Sequence, residues 1–210
     1  MAAMETVLDV YARPYDPFHP VICFDECAKE LRAHVRPPRQ EHAARKVDPA
    51  YERHGLAPIH VWIEPHTGRM GALVTTQRTR YAFADAVRSI VTAYPAALTI
   101  TLVLDNLNTH TYAALYDAFA PEEAARLRRR VQLVKTPKHG SWLNIAELGI
   151  SVLSRAVLKH QRFTSHATLA AQIAAWITDH HADPHPITWS FDVDTARARM
   201  PRVYPIPKHP

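Results

Sequence analysis

The chain has 210 residues, 47% of them hydrophobic, and carries a formal net charge of +5. This length suits one domain, and the composition excludes both a disordered chain and a transmembrane segment, so we expect a cytoplasmic protein without a membrane partner. The positive charge favours a polyanionic partner, although a mild excess is also common on ordinary proteins.

The first predicted element is an N-terminal arm over residues 1–20, because prolines interrupt the second half of that segment. A short buried strand over 21–24 follows and ends at an acidic pair. Residues 35–55 are rich in Arg, Pro and His, which predicts an exposed basic loop. The later elements are, in chain order, a hairpin over 58–64 and 70–76, a helix over 80–94, a central strand over 98–104, a helix over 111–130 broken at Pro121, a short strand over 131–134, a helix from Ser141 to about residue 160 and a helix over 167–180.

This order predicts an α/β protein with a mixed sheet covered by helices, because an antiparallel start is followed by alternating helices and strands. The chain then divides into the arm 1–20, one domain over 21–182 and a basic, Pro-rich C-terminal tail over 183–210. Cys23 and Cys27 predict neither a disulfide framework nor a zinc site, since no second cysteine pair completes one.

Two of the predicted apolar strands end in an aspartate, Asp25 after residues 21–24 and Asp105 after residues 98–104. If these strands are parallel neighbours, both carboxylates emerge at the edge of the sheet where open α/β sheets bind their ligands. A third acid, Glu147, lies on a later predicted helix. Taken alone, Glu147 would be an ordinary acid of an exposed helix surface.

Helical spacing places Glu147 on one face of its helix, together with Asn144 and Ser151. Three apolar residues fall on another face and are predicted to pack on the sheet: Ile145, Leu148 and Val152. Gly149 lies inside the helix, where glycine costs about 1 kcal/mol relative to alanine. We therefore expect this helix to be weakened.

Three converging carboxylates suit phosphodiester chemistry, in which negative charge grows on the attacking and leaving oxygens. Two Mg²⁺ ions about 3.5–4 Å apart stabilise both oxygens, and one of them also activates the nucleophile. Mg²⁺ prefers oxygen ligands and retains several waters, so few protein carboxylates suffice. Asp25, Asp105 and Glu147 together therefore predict a two-metal site.

Several blocks of this sequence resemble one known family. They are Phe24-Asp25-Glu26, Tyr51-Glu52-Arg53-His54-Gly55, Leu104-Asp105-Asn106-Leu107-Asn108-Thr109-His110 and Thr136-Pro137-Lys138-His139-Gly140-Ser141-Trp142-Leu143-Asn144-Ile145-Ala146-Glu147. Together they are similar to the catalytic domain of transposases of the insertion-sequence 630 / Tc1-mariner group, which are DDE superfamily endonucleases. The resemblance covers essentially the whole chain from about residue 20.

The resemblance implies an RNase H-like (retroviral-integrase-like) fold, with a mixed β-sheet flanked by α-helices. It also implies that Asp25, Asp105 and Glu147 are the catalytic triad, which holds two Mg²⁺ ions or Mn²⁺ in their place. The implied activity is metal-dependent DNA strand cleavage and strand transfer at transposon ends. The implied partners are double-stranded DNA, as transposon ends and target, and a second copy of the chain in a homodimer on DNA, within the nucleoid.

The remaining site residues are expected from the motifs and from a basic run. The segment from Arg126 to Lys138, both included, contains six basic residues and no acid. Such a run favours contacts with phosphates. The predicted DNA contacts are Arg129, Arg130, Lys135, Lys138, His139, Trp142 and Asn144. Three further residues are predicted to shape the site: Glu26, Asn106 and His110.

Members of the group usually carry an N-terminal helix-turn-helix region that reads the transposon ends. About twenty residues precede the first predicted strand, so we expect this region to be separate or missing. That expectation leaves open a non-catalytic alternative, namely a DNA-binding or oligomerisation remnant of a truncated transposase. A small-molecule phosphohydrolase that uses the same acids is a further alternative, which the basic, His-rich composition disfavours.

Overall fold

The structure, a computed structural model, describes residues 1–35, 39–41, 44–46, 50–159, 161–201 and 203–204, with the backbone alone at 39–41 and 44–46. Its strands are β1 Val21–His34, β2 Arg39–Glu41, β3 Ala44–Lys46, β4 Tyr51–Ile63, β5 Met70–Val74, β6 Ile100–Leu104 and β7 Val131–Lys135. Its helices are α1 Ala2–Tyr11, α2 Arg80–Ala93, α3 Ala113–Ala118, α4 Pro121–Arg130, α5 Ala146–Leu153, α6 His166–His180 and α7 Val193–Arg199. A 3-10 turn at Ser141–Leu143 precedes α5, and a π-helical segment at Ser154–Leu158 continues it. Within these described ranges, no helix combines the length and the apolar character that a membrane span requires.

Five strands form one mixed sheet in the order β5-β4-β1-β6-β7. β4 runs antiparallel to β1 and β5, whereas β6 runs parallel to β1 and β7. The hairpin of β4 and β5 turns at Gly68, whose φ of 74° is one that glycine adopts without strain. The short strands β2 and β3 pair in a separate ladder. This sheet and its flanking helices confirm the predicted fold class.

The central strands are buried on both faces, which explains their continuous apolar sequences. In β1, Val21 and Cys23 belong to one core cluster, because successive side chains of a strand point to opposite faces. Ile22 and Phe24 belong to the other cluster. Helices α1, α5, α6 and α7 pack in the first cluster, on what we call the α5 face, and α2, α3 and α4 pack in the second, on the α2 face.

Local signals place several elements where they were predicted. All five residues of β6 are buried, as suits a central strand. Pro121 begins α4, so the helix predicted over 111–130 is broken there. Ser165 begins α6 with a capping box, in which its hydroxyl accepts a hydrogen bond from the backbone N–H of Thr168 at 3.2 Å.

The first strand is longer than predicted. β1 has fourteen residues and continues through Asp25 instead of ending there. It continues because β4 pairs with it antiparallel as far as His34, which lies opposite Tyr51. The loop predicted over 35–55 is therefore shorter and contains β2 and β3. The remainder of that loop prediction lies outside the described residues, at 36–38, 42–43 and 47–49.

Helices α1 and α7, within the predicted arm and tail, pack on the α5 face. The residues that α1 buries recur at helical spacing and are Met4, Val7, Leu8 and Val10. At the other end, Trp189 and α7 pack against the same cluster, and Arg197 pairs with Glu5 at 2.8 Å. Residues 12–20 contain no helix or strand, as their prolines predict. Residues 202 and 205–210 of the predicted tail lie outside the described part, and the domain division at 20 and 182 stays a prediction.

Candidate active site

β1 and β6 bring Asp25 and Asp105 to one edge of the sheet. The two strands are parallel neighbours, with Cys23 opposite Val103. Asp25 is two residues after Cys23 and lies within β1. Asp105 is two residues after Val103 and directly follows β6. The predicted parallel pairing is confirmed, although only Asp105 follows the end of its strand.

Glu147 lies in the first turn of α5, which begins later than predicted. Ser141 makes no side-chain capping hydrogen bond and belongs to a 3-10 turn instead. The loop before this turn contains His139 at a φ of 64°. At the start of α5, Asn144 Oδ1 accepts a hydrogen bond from the backbone N–H of Ala146 at 3.2 Å. The predicted helix start at Ser141 is therefore wrong, and Asn144 contacts the first turn of α5 instead.

α5 packs on the sheet through a different face from the predicted one. Three residues were predicted to pack on the sheet. Ile145 is buried, Val152 is half-buried and Leu148 is exposed. A Cβ on Gly149 would lie 3.2 Å from Met70 Cε and 3.5 Å from Ile63 Cγ2. Glycine thus permits α5 to approach β4 and β5 closely, and the residue predicted to weaken the helix has a packing role.

The pKa of Asp25 responds to burial and to the other two acids. Burial raises the pKa of Asp25, and the negative charges of Asp105 and Glu147 raise it as well. A hydrogen bond from the backbone N–H of Glu26 to Asp25 Oδ1, at 2.7 Å, opposes this rise. A cation bound among these carboxylates would relieve their repulsion, because an opposite charge favours the ionised form.

The carboxylates suit a hard divalent ion by their chemistry. Asp25, Asp105 and Glu147 offer only oxygen donors, which Mg²⁺ and Mn²⁺ accept. In the part of the chain that the structure describes, no group of three Asp, Glu, His or Cys side chains is yet arranged to hold a metal ion. The assignment of the triad as metal ligands therefore stays a prediction.

Asn144 holds Asp25 in place from within the protein. Its side-chain amide donates to the carbonyl oxygen of Phe24 at 2.8 Å and to Asp25 Oδ2 at 3.3 Å. Asn144 is buried, so it faces Asp25 and not solvent. Asn144 thus positions a candidate catalytic side chain, and a DNA contact at this residue stays a prediction.

Four of the predicted DNA contacts lie at or after the carboxyl end of β7, the strand beside β6. Lys135 is opposite Leu104 in the sheet, and its Nζ lies 3.4 Å from the carbonyl oxygen of Leu107. The other three follow along the chain and are exposed: Lys138, His139 and Trp142. The indole of Trp142 rests edge-on against Phe191, with the ring centroids 5.5 Å apart. The assignment of these side chains as DNA contacts stays a prediction.

Arg129 and Arg130 are not brought to the same place. They precede β7, whose first residue Val131 lies opposite Ile100 at the other end of β6. A five-residue strand puts this end roughly 13 Å from the carboxylate edge. The guanidinium of Arg130 also donates to the carbonyl oxygen of Tyr94 at 3.0 Å. The predicted basic run is thus divided between two ends of the sheet.

The three residues predicted to shape the site differ in their surroundings. Asn106 is exposed directly after Asp105. His110 is buried, and its Nδ1 lies 2.6 Å from Asp105 Oδ1. Burial lowers the pKa of His110, but hydrogen bonds with Asp105 and Glu26 outweigh that effect and raise it. Burial raises the pKa of Glu26, yet its contacts with His110 and His60 and the nearby charge of Arg78 lower it overall.

Three residues near the site were missed at the level of sequence: Tyr11, His60 and Arg78. His60 lies opposite Glu26 across β1 and β4, which only the strand register reveals. The hydroxyl of Tyr11 donates to the carbonyl oxygen of Leu143 at 2.8 Å, and its ring lies 5.4 Å from that of Trp189. Tyr11 therefore joins both ends of the chain to the segment that precedes Glu147. No local sequence pattern signals such a contact.

Tyr11→Phe is expected to lower the free energy of unfolding by about 1 kcal/mol, because a buried carbonyl loses its hydrogen bond. Urea denaturation followed by circular dichroism measures this change. Tyr116→Phe is the control, since Tyr116 is exposed on α3. Equal stability of Tyr11→Phe and the wild type would contradict the role given to this hydroxyl.

Comparisons with known proteins agree with this geometry. The sequence model of the family described as DDE superfamily endonuclease matches residues 20–170. The Mos1 mariner paired-end complex with Mn is similar over 85% of this chain and 53% of its own, with 16% identity and a TM-score of 0.52. The Mos1 transposase paired-end complex with left transposon end is similar over 84% of this chain and 53% of its own, with 13% identity and a TM-score of 0.54. The catalytic domain of Mos1 mariner transposase is similar over 84% of this chain and 78% of its own, with 14% identity and a TM-score of 0.50.

The sheet order and these structural likenesses define an RNase H-like fold. The chain belongs to the DDE superfamily endonuclease family, since the family model covers most of its length. It spans about half the length of the Mos1 chains in the two paired-end complexes. Comparison with curated protein sequences gives no match. The resemblance expected from the motifs is confirmed.

Proposed function

We propose that this chain is the catalytic core of a DNA transposase, which cleaves and joins DNA strands at transposon ends with two Mg²⁺ ions, or with Mn²⁺ in their place. The observation that carries this proposal is the parallel pairing of β1 with β6, which brings Asp25 and Asp105 to one edge of the sheet. Glu147 lies near enough for its charge to raise the pKa of Asp25. Membership of the DDE superfamily endonuclease family supports the nuclease chemistry. The similar Mos1 structures supply the comparison for transposition.

Asp25, Asp105 and Glu147 would hold the ions. When bound, the ions supply charge stabilisation for the attacking and leaving oxygens and activate the nucleophile. The chain's own residues orient the carboxylates, since Asn144 donates to Asp25 at 3.3 Å and His110 lies 2.6 Å from Asp105. Side chains held in this way need little rearrangement when DNA and metal bind.

The proposed partner is double-stranded DNA, as transposon ends and target, bound by a homodimer in the nucleoid of the cytoplasm. The similar Mos1 transposase is described in a paired-end complex with its left transposon end. Four side chains beside Asp105 are proposed to contact DNA: Lys135, Lys138, His139 and Trp142.

Metal-dependent nicking of supercoiled plasmid DNA tests the proposal. We expect nicked circles with Mn²⁺ or Mg²⁺ and none with EDTA, and we expect calorimetry to detect two Mn²⁺ ions bound per chain. DNA binding that is indifferent to metal, without Mn²⁺ binding, would contradict the proposal and favour the non-catalytic remnant. Phosphomonoester hydrolysis without DNA affinity at low salt would contradict it in favour of a phosphohydrolase.

Lys138→Ala is expected to weaken DNA binding, because Lys138 is exposed beside the carboxylate edge. Loss of one phosphate contact lowers the slope of log affinity against log salt by about 1. Fluorescence anisotropy of a labelled duplex at several salt concentrations measures this slope. Arg129→Ala is the matched control, because Arg129 is exposed at the opposite end of the strands. Equal losses in both variants would contradict this placement of the DNA.

A further inference from the structure

A group of acidic and basic side chains, most of them buried, lies behind the candidate active site, on the α2 face. Its centre is Glu26, whose side chain is 2% exposed. One carboxylate oxygen of Glu26 lies 3.1 Å from Nδ1 of His60 and 3.3 Å from Nε2 of His110. The other oxygen is paired with Nε of Arg78. A buried carboxylate is costly unless it is paired, and this one has the guanidinium of Arg78 and two imidazoles as neighbours.

His110 connects Glu26 to Asp105. Its Nδ1 lies 2.6 Å from Asp105 Oδ1, while its Nε2 faces Glu26. The rings of Phe83 and Phe24 lie 4.6 Å and 5.4 Å from the imidazole, so packing restricts its plane. The imidazole cannot turn without losing one of its two carboxylates. The orientation of Asp105 therefore depends on the contact between His110 and Glu26.

Arg78 is the exposed end of this group, with 53% of its side chain accessible. It lies in the loop between β5 and α2. Thr75 anchors that loop, because its hydroxyl lies 3.2 Å from Nε2 of His60 and donates to the carbonyl oxygen of Gln77 at 3.1 Å. β5 runs in the same direction as β1 and β6, so the loop lies at the edge of the sheet where Asp105 emerges.

We propose that Arg78, Glu26 and His110 form a relay that positions Asp105. Arg78 holds the carboxylate of Glu26, and His60 braces the same carboxylate from the neighbouring strand. Glu26 in turn fixes His110, which holds one oxygen of Asp105. This inference rests on the proposed function, since it concerns the orientation of a proposed metal ligand. Arg78 is a positioning residue in this account, and its effect reaches Asp105 through the protein and not through DNA.

Proton NMR of the full chain with ¹⁵N-labelled histidine rings tests the relay without requiring cleavage. In the wild type we expect the Nδ1–H proton of His110 downfield, because a carboxylate oxygen of Asp105 lies 2.6 Å from Nδ1. Arg78→Gln and Glu26→Gln are expected to move this resonance upfield. Arg80→Gln is the matched control, because Arg80 is similarly exposed but pairs with Asp117. A resonance that Arg78→Gln leaves in place would overturn the relay.

Nicking kinetics connect the relay to the active site. Glu26→Gln is expected to lower kcat about 10–100-fold with KM for DNA unchanged, as is typical when an outer partner of a metal ligand is lost. Arg78→Gln is expected to lower kcat as well, and Arg78→Lys is expected to restore part of the rate. A double variant with Arg78→Gln and Glu26→Gln is expected to be no slower than Glu26→Gln alone. Raised KM with unchanged kcat in Arg78→Gln would overturn the relay in favour of a direct DNA contact. A wild-type chain that shows the expected NMR response but nicks no DNA would overturn the proposed function alone.

Discussion

Asp25→Asn is expected to reduce metal-dependent nicking by at least about a thousandfold while leaving the fold intact. Charge stabilisation by a bound ion is worth several kcal/mol in the transition state, and about 4 kcal/mol corresponds to this factor. The amide has nearly the shape of the carboxylate but lacks the charge that would hold a cation. Plasmid nicking in Mn²⁺ measures the loss, and circular dichroism checks the fold.

The same variant is expected to be more stable than the wild type when metal is absent. Burial, Asp105 and Glu147 raise the pKa of Asp25 in the folded chain, so folding disfavours its ionised form. This penalty is fully present at neutral pH, decreases as the pH falls through the folded pKa, and disappears below the unfolded value of 3.8. We therefore expect a higher Tm for Asp25→Asn in EDTA at neutral pH, and a smaller difference in acid.

Glu122→Gln is the matched control for this experiment, because Glu122 is an exposed acid in the first turn of α4. It is expected to nick DNA at the wild-type rate. Asp105→Asn is expected to lose nicking as Asp25→Asn does. Nicking retained by Asp25→Asn would contradict the catalytic assignment, and a lower Tm than wild type in EDTA would contradict the electrostatic account.

Local patterns were sufficient to predict the elements around Asp105. β6 is recognisable because a strand buried on both faces must be apolar throughout, and the acid that ends the run stands out. Ser165 at the start of α6 is equally local, since a cap and its partners lie within one turn. The motif blocks added Glu147, which its helix alone would not have distinguished from a surface acid.

Features that depend on pairing between distant segments could not be predicted in this way. The outer half of β1 is half-exposed and is a strand because β4 pairs with it, so its sequence lacks an apolar run. The partnership of Glu26 with His60 follows from the same register. α5 begins later than predicted, directly after the segment in which Asn144 donates a hydrogen bond to Asp25. Asn144 and Asp25 are far apart in the chain. These long-range contacts determine how the acids are held.

Asn144→Ala is expected to lower both the stability and the nicking rate, because one buried amide serves three groups. It donates to the carbonyl oxygen of Phe24 and to Asp25, and it accepts from the backbone N–H of Ala146. Each buried polar group left without a partner costs about 1–3 kcal/mol. Because water can reach the half-buried Asp25, we expect the free energy of unfolding to fall by about 2–4 kcal/mol, measured by urea denaturation.

The nicking rate separates positioning from simple stabilisation. Asp25 loses its amide partner in Asn144→Ala, so the rate should fall even at temperatures where the variant is fully folded. Asn144→Asp keeps the acceptor for α5 but adds a negative charge beside Asp25, so it should be destabilised more at neutral pH than in acid. Asn108→Ala, at an exposed position of the loop after β6, is expected to change neither quantity. A destabilised Asn144→Ala that nicks at the wild-type rate would mean that the amide supports the fold without orienting Asp25.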